Sequence, residues 1–285
     1  DKNPYDEEKL SSNLKVIFEP FKQLYQKDSS KLDVILKRTE IQLKQVLLSL
    51  KEISSFTNYK PYKTEVKYDY TYTLTKNRRV HLTGRIDRVD KTDQYYRIID
   101  YKSSDKKIVA KTVLSGNQLQ LSTYACLYDG LPQLAPAGAY YYNLSQSNIK
   151  VQELSHTKTK GLNINPDSNW IDTWILNHKM KGMTFDNAAD LDTNGKHITH
   201  IKGNATGVSS ILDKSRYNID TLKLVLSELY AYLYEELNKG NIKKDAVEGA
   251  CKYCDYKNLC QFHQDQIKPV NKTRVNKLTC EEDAV

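Results

Sequence analysis

Charged side chains interrupt two apolar, strand-like stretches of this sequence at a regular spacing. The first stretch is GRIDRVD, residues 84–90, and the second is IIDYKSS, residues 98–104. Asp and Lys are poor strand formers, because they neither pack on a pleated surface nor fill a core. Such departures from local preference are typical of functional sites. Asp87, Asp100 and Lys102 are therefore the first candidates for chemistry.

The two stretches predict one antiparallel hairpin that brings these side chains to a common face. With a loop at residues 91–94, Asp87 lies opposite Ile98 and diagonal to Asp100, although a one-residue change of register would reverse its face. Two adjacent carboxylates repel unless a cation lies between them, and such oxygen ligands suit Mg²⁺ or Mn²⁺. With a lysine beside them, they favour metal-assisted phosphodiester hydrolysis. The alternative is a surface hairpin whose ion pairs contribute less than about 1 kcal/mol each.

The elements that must position these residues follow from hydrophobic periodicity. Helical spacing predicts helices over residues 5–55, with capping residues at Asp28-Ser29-Ser30. Period-two alternation predicts three antiparallel strands over 62–103, with turns at Lys76-Asn77 and 91–94. Later in the chain the patterns predict a helix over 116–130, a strand over 136–145, a helix around Trp170–Lys181 and a helix over 216–240 that Gly240 ends. This order indicates a mixed α/β domain.

Composition limits the classes of function. The 285 residues carry a formal net charge of +8, from 43 basic and 35 acidic residues, which is compatible with a polyanionic partner. No run of 18 apolar residues is present, so no membrane span is predicted. The sequence starts without a Met or an apolar signal region, which predicts a cytoplasmic location and a piece cut from a longer chain.

Three short motifs together resemble a known nuclease family. GRID, then IIDYKSS, then QLSTY match in order the G-x-x-D, D-Y-K and Q-x-x-x-Y motifs of the RecB-like branch of the PD-(D/E)xK nuclease superfamily. The resemblance implies a restriction-endonuclease-like core, in which a mixed sheet is flanked by helices. It also implies an Mg²⁺- or Mn²⁺-dependent nuclease activity.

The same resemblance assigns expected roles to individual residues. Asp87 and Asp100 would be metal ligands, and the backbone carbonyl of Tyr101 would add a third oxygen. Lys102 would be the catalytic lysine. At positions four apart on one helix, Gln120 and Tyr124 would buttress the site or contact the DNA backbone.

A cysteine cluster follows the last predicted helix. CKYCDYKNLC places Cys251, Cys254 and Cys260 in a C-x2-C-x5-C spacing. Three thiolates so close in sequence can bind one metal centre, and both zinc and a [4Fe–4S] cluster require a fourth ligand. The spacing and its position resemble the iron–sulfur nucleases of the AddB/RexB type. The resemblance implies a structural [4Fe–4S] cluster and a C-terminal Cys-rich appendage.

Two ligands of that family have no counterpart in this sequence. The family has a Cys and a His upstream of the core, but residues 1–60 contain neither, and His81 is predicted to face solvent on its strand. Cys126 is predicted to pack within its helix. We expect both missing ligands to lie before residue 1, with Cys280, or more weakly His263, as the alternative fourth cluster ligand.

The resemblance to the C-terminal nuclease domain of AddB/RexB implies a biological setting. It implies the deoxyribonuclease part of a two-subunit, ATP-dependent helicase–nuclease that resects double-strand breaks in recombinational repair. The helicase partner would be of the AddA/RexA type, and the absence of a G-x-x-x-x-G-K-[ST] motif from this sequence agrees with that. Lys106, Lys107 and Lys111 are candidates for binding the DNA backbone, although a solvated charged loop explains them about equally well.

Two alternatives remain at this point. One is a catalytically silent module that binds DNA as a scaffold, and the other is a stand-alone iron–sulfur nuclease of the CRISPR-adaptation kind. The predicted organisation is one nuclease domain in four parts: an N-terminal helical segment (1–60), the PD-(D/E)xK core (61–155), a helical insertion or extension (156–245), and the Cys-cluster region with its tail (246–285).

Overall fold

The computed structural model describes residues 6–24, 29–55, 57–108, 113, 116, 118–145, 180–185, 216–244, 246, 250–252 and 254–260. The helices are α1 (Glu7–Leu24), α2 (Ser29–Ser55), α3 (Gln120–Leu127), α4 (Ile219–Asn238) and α5 (Lys257–Cys260). The strands are β1 (Lys60–Thr75), β2 (Arg78–Lys91), β3 (Tyr95–Lys102), β4 (Ala135–Asn143), β5 (Lys181–Phe185) and β6 (Arg216–Tyr217). None of the helices in these ranges has the length and apolar character that crossing a membrane requires.

The strands form one mixed sheet in the order β1-β2-β3-β4-β5-β6. Neighbouring strands are antiparallel except for the parallel pairs β3–β4 and β5–β6. A parallel pair needs a crossover connection, and α3 lies on the one between β3 and β4. The predicted α/β fold with a mixed sheet flanked by helices is confirmed.

Two hydrophobic cores lie on opposite faces of the sheet. On one face α2 buries Val46, Leu50 and Ile53 against residues of β3 and β4. On the other face α3 and α4 pack against the sheet, and their apolar residues join those of β1 to β5. Helix α3 therefore holds its polar first residue, Gln120, near the end of β3.

The predicted hairpin forms, but its register differs by two residues. Val89, rather than Asp87, lies opposite Ile98. The cause is a turn in which the N–H of Thr92 donates to the Tyr95 carbonyl at 2.8 Å and the Thr92 hydroxyl accepts from the Tyr95 N–H at 2.9 Å, so that Lys91 joins the strand. Because side chains alternate with period two, a shift of two residues leaves their face unchanged.

Other boundaries also differ from the sequence patterns. A helix was predicted around Trp170–Lys181, but its last residue belongs to a strand, because Lys181–Phe185 form β5 and pair with β4. Residues 170–179 lie outside the described residues.

Helix α4 starts later than predicted, since Asn218 caps it by accepting the N–H groups of Asp220 and Thr221 at 3.0 Å. Its predicted end is confirmed, with Gly240 at a φ of +61°. Helix α2 begins at Ser29, and Asp28 lies outside the described residues.

Candidate active site

Strands β2 and β3 separate at Asp87. Their ladder ends at the pair Arg88–Ile99, and beyond it the N–H of Tyr101 donates to Asp87 Oδ2 at 2.7 Å. A side-chain carboxylate thus accepts the hydrogen bond that a main-chain carbonyl of β2 would accept in a continued ladder. The N–H and C=O of one strand residue point to the same neighbouring strand, so the Tyr101 carbonyl points to the side of β2 as well.

A local distortion of the sheet accompanies this separation. Ile86 and Val89 belong to the same core, although strict alternation would place residues three apart on opposite faces. Between the pairs Thr64–Arg88 and Val66–Ile86 of the β1–β2 ladder, Glu65 has a φ of +52°. This left-handed conformation costs a non-glycine residue on the order of 1 kcal/mol. The distortion therefore lies directly beside Asp87.

Asp100 is a buried carboxylate whose negative charge is only partly balanced by nearby groups. It is 1% exposed, and Lys102 Nζ lies 2.5 Å from its Oδ2. No other group among the described residues donates a hydrogen bond to that oxygen. Burial raises the pKa of Asp100, the Lys102 ammonium opposes this, and the charge of Asp87 adds to the increase; the net shift of the pKa is upward. The site therefore favours an additional positive charge next to Asp100.

The Q-x-x-x-Y residues occupy two different positions. Gln120 is exposed, and its Oε1 accepts a hydrogen bond from Lys102 Nζ at 3.2 Å. Tyr124 is buried, and its Oη accepts the backbone N–H of Arg85 at 3.1 Å. Gln120 thus orients the lysine, whereas Tyr124 supports the backbone of β2 two residues before Asp87.

The position of Tyr124 explains the glycine of the G-x-x-D motif. A Cβ at Gly84 would lie 2.3 Å from Tyr124 Oη, and the Arg85 hydrogen bond holds that hydroxyl in place. We expect Gly84→Ala to lower the free energy of unfolding by about 1–3 kcal/mol, because the clash must displace the ring or the strand. Urea denaturation measures this loss.

A double-mutant cycle isolates the contact. Tyr124→Phe removes the clashing oxygen, so Gly84→Ala should cost less in the Tyr124→Phe background than in the wild type. An equal cost in both backgrounds would show that Gly84 is needed for another reason.

The loop after β3 carries the predicted DNA-binding lysines. Lys106 and Lys107 are exposed, and Lys111 lies outside the described residues. The charge of Lys106 acts to lower the pKa of Asp100. An ion pair of 2.6 Å between Asp105 Oδ1 and Lys181 Nζ ties this loop to β5.

Sequence reasoning missed Lys181. It pairs with Tyr141 on β4, and Tyr141 in turn pairs with Asp100 on β3, so the three residues form a row across one face of the sheet. Lys181 is 79 positions from Lys102 in the sequence and belongs to no motif. Only the pairing of β4 with β5 places it here.

A buried ionic network lies on the opposite face, directly behind the carboxylates. Asp90 accepts hydrogen bonds from Arg88 Nε at 2.5 Å and from Arg97 Nη2 at 2.8 Å, and all three residues are buried. Arg88 Nη1 also donates to the Tyr101 hydroxyl at 3.3 Å. Since Arg88 follows Asp87 and Tyr101 follows Asp100, this network fixes the two strands where their ladder ends.

The cysteines of the C-x2-C-x5-C spacing lie at the end of the described chain. Cys251 and Cys260 are partly buried, and Cys254 is exposed. Within the described ranges no three His, Cys, Asp or Glu side chains lie close enough together to hold one metal ion between them, and this includes the cysteines. The predicted cluster thus rests on spacing alone, and its alternative fourth ligands, His263 and Cys280, lie outside the described residues.

Two single-residue predictions outside the motifs are confirmed. Cys126 packs in α3 against the core, and burial raises the pKa of its thiol to about 12. His81 faces solvent, where its Nε2 lies 2.6 Å from Asp69 Oδ1. Neither residue contributes to the candidate site.

The carboxylate site fits a divalent cation. Two carboxylates lie side by side, one of them buried with an oxygen that only Lys102 approaches among the described groups. The Tyr101 carbonyl points to the same side of β3 as the N–H that Asp87 accepts, and oxygen donors of this kind are the ligands that Mg²⁺ and Mn²⁺ prefer.

Comparisons with known proteins agree with this geometry. The family model of the PD-(D/E)XK nuclease superfamily matches residues 3–261. Several proteins named as a subunit of an ATP-dependent helicase/deoxyribonuclease are similar. The protein from Ruminiclostridium cellulolyticum is 28% identical over 68% of this chain, that from Clostridium novyi 30% over 66%, and that from Clostridium kluyveri 29% over 71%. The matched region is 18% of each of these relatives, so the chain spans less than a fifth of their length. The match over most of its residues shows that the chain belongs to the PD-(D/E)XK nuclease superfamily.

Proposed function

We propose that this chain is an Mg²⁺- or Mn²⁺-dependent deoxyribonuclease domain that degrades single-stranded DNA from an end. The observation that carries the proposal is the buried Asp100 carboxylate, which lies beside Asp87 and within 2.5 Å of the Lys102 ammonium. Membership of a nuclease superfamily supports phosphodiester hydrolysis as the reaction.

Each residue of the site has a proposed part in the reaction. Asp87, Asp100 and the Tyr101 carbonyl would hold the cation, which supplies positive charge and Lewis-acid polarisation of the phosphodiester. Lys102 lies next to Asp100, where its ammonium can orient the attacking water and stabilise negative charge as it develops on the phosphate. Gln120 keeps that ammonium in position through a hydrogen bond of 3.2 Å.

The biological setting is proposed from the relatives. Their name describes one subunit of an ATP-dependent helicase and deoxyribonuclease. We propose that this chain works in the cytoplasm with a helicase partner of the AddA/RexA type and receives the strand that the helicase unwinds during double-strand break resection. Lys106 and Lys107 would contact the backbone of that strand.

The cysteines are proposed to have a structural part. Cys251, Cys254 and Cys260 would bind a [4Fe–4S] cluster with a fourth ligand, and the cluster would hold the C-terminal segment together. Iron and sulfide content of anaerobically purified protein, compared with that of Cys254→Ser, tests this assignment. An iron-free wild-type protein would exclude a cluster held by the ligands of this chain alone.

Cleavage of three DNA substrates tests the proposed activity. We expect labelled linear single strands to be shortened in Mg²⁺ or Mn²⁺. Circular single strands should stay intact because an exonuclease needs an end, and blunt duplexes should stay intact because their ends are paired. EDTA and Lys102→Ala should both abolish cleavage.

The other outcomes distinguish the alternatives. Cutting of the circle would indicate an endonuclease. A wild-type chain that binds DNA but cuts none of the substrates would support the catalytically silent scaffold.

A further inference from the structure

A β-bulge places a tyrosine on the surface at the start of β1. Pro61 pairs with Asp90 and Lys63 pairs with Val89, so Tyr62 is the extra residue between them. Bulges re-aim side chains, and β1 is an edge strand of the described sheet. Tyr62 is 37% exposed.

Two lysine ammonium groups lie over this ring, and a third lysine lies opposite one of them. Lys91 Nζ lies 4.5 Å and Lys63 Nζ 5.2 Å from the centroid of the Tyr62 ring, and Lys60 lies directly opposite Lys91 in the β1–β2 ladder. Like charges directly opposed across strands are destabilising. Within the described part of the chain none of these lysines forms an ion pair.

Neither of the two acids near the patch is paired with one of these lysines in the part of the chain that the structure describes. Asp93 lies on the turn that follows Lys91. The charges of Tyr62 and Asp129 both raise the pKa of Tyr128. Both carboxylates are exposed. The patch therefore combines a partly exposed aromatic ring with an excess of positive charge, a combination typical of surfaces that bind single-stranded nucleic acid.

We propose that Tyr62, Lys60, Lys63 and Lys91 form a second contact site for single-stranded DNA. A base stacks on the Tyr62 ring, and the flexible lysine stems turn their ammonium groups to the flanking phosphates. Because Lys91 is four residues from Asp87, the patch begins about 13 Å along β2 from the carboxylates, at roughly 3.3 Å per residue. That the polymer is DNA rests on the proposed function. The patch itself is a further site, outside the three motifs.

The stacked base must be unpaired, which sets the substrate class. A ring on an edge strand offers its face to a base only when that base is free of a complementary strand. Lysine ammoniums are point charges without the planar fork that reads a base edge. The patch therefore selects single strands without reading their sequence.

Binding of fluorescent oligothymidylate, measured by anisotropy in EDTA, tests the proposal. We expect Tyr62→Ala to weaken binding between about 5-fold and about 150-fold, the range for loss of one stacked base. Tyr62→Phe keeps the ring and should bind within about 2-fold of the wild type. Lys63→Ala combined with Lys91→Ala should reduce the slope of log K against log salt by about 1.4, since each single-strand phosphate contact contributes about 0.7.

A matched abasic oligonucleotide separates stacking from charge. Tyr62→Ala should bind it as the wild type does, whereas the double lysine variant should still bind it more weakly. The proposal is overturned if Tyr62→Ala binds oligothymidylate normally, or if an acidic peptide or a blunt duplex competes for the patch as well as the oligonucleotide does. Loss of binding by Tyr62→Phe would also overturn it, because the hydroxyl and not the ring would then be responsible.

The proposed function fails in a different way. A wild-type chain that neither binds nor cuts single strands would refute the nuclease assignment itself. Normal cleavage and binding by the wild type, with no effect of Tyr62→Ala, would refute only the second site.

Discussion

Asp100→Asn should lower the rate of metal-dependent DNA cleavage by on the order of 10³-fold while the protein stays folded. The amide has the size of the carboxylate, but it removes a negative oxygen ligand from the site and with it much of the affinity for the cation. Cleavage of labelled single strands at saturating Mg²⁺ measures the effect. Asp93→Asn is the matched control, because Asp93 is an exposed acid on the adjacent turn.

A stability measurement separates this catalytic role from a structural one. The pKa of Asp100 is raised in the folded protein, so at pH values above that pKa its ionisation costs stability. In EDTA at neutral pH, Asp100→Asn should therefore be at least as stable as the wild type, and this advantage should vanish in acid below the ordinary pKa of an aspartate. A destabilised Asp100→Asn that keeps its cleavage rate would contradict the assignment.

Asp90→Ala should have the largest effect on folding. Asp90 is completely buried and joins Arg88 and Arg97, and the variant would leave two buried guanidinium groups without their carboxylate. Breaking a buried ion pair in this way costs about 3–5 kcal/mol, which is a large share of the stability of a typical domain. Urea denaturation at neutral pH measures the loss.

An exposed acid provides the comparison. Asp69 pairs with His81 on the surface, and Asp69→Ala should change the free energy of unfolding by less than about 1 kcal/mol. Equal effects of Asp90→Ala and Asp69→Ala would mean that the buried network does not hold β2 and β3 together.

The same network predicts how the stability of the folded protein decreases in acid. Burial by itself would raise the pKa of Asp90, but the guanidinium groups of Arg97 and Arg88 outweigh it and hold the pKa below its ordinary value. The stabilisation is therefore complete above the ordinary pKa of about 3.9 and is lost as the pH falls below it. In Asp90→Asn this part of the pH dependence should disappear.

The amino-acid pattern alone predicted the α/β class and the strands that carry the candidate residues. Alternation over 62–103 predicted the three strands, because one buried face imposes a period of two on the side chains. The same period makes the predicted faces insensitive to a register error of two residues, which is the error that the hairpin shows. The order of the three motifs likewise indicated the superfamily that the family model matches.

Long-range packing determines which distant groups complete the site. Lys181 reaches it through the pairing of β5 with β4, and Tyr124 closes over Gly84 through the packing of α3 on the sheet. The bulge at Tyr62 likewise depends on how β1 pairs with β2. Contacts between residues far apart in the sequence leave no local periodicity, so no pattern in the residues alone could predict them.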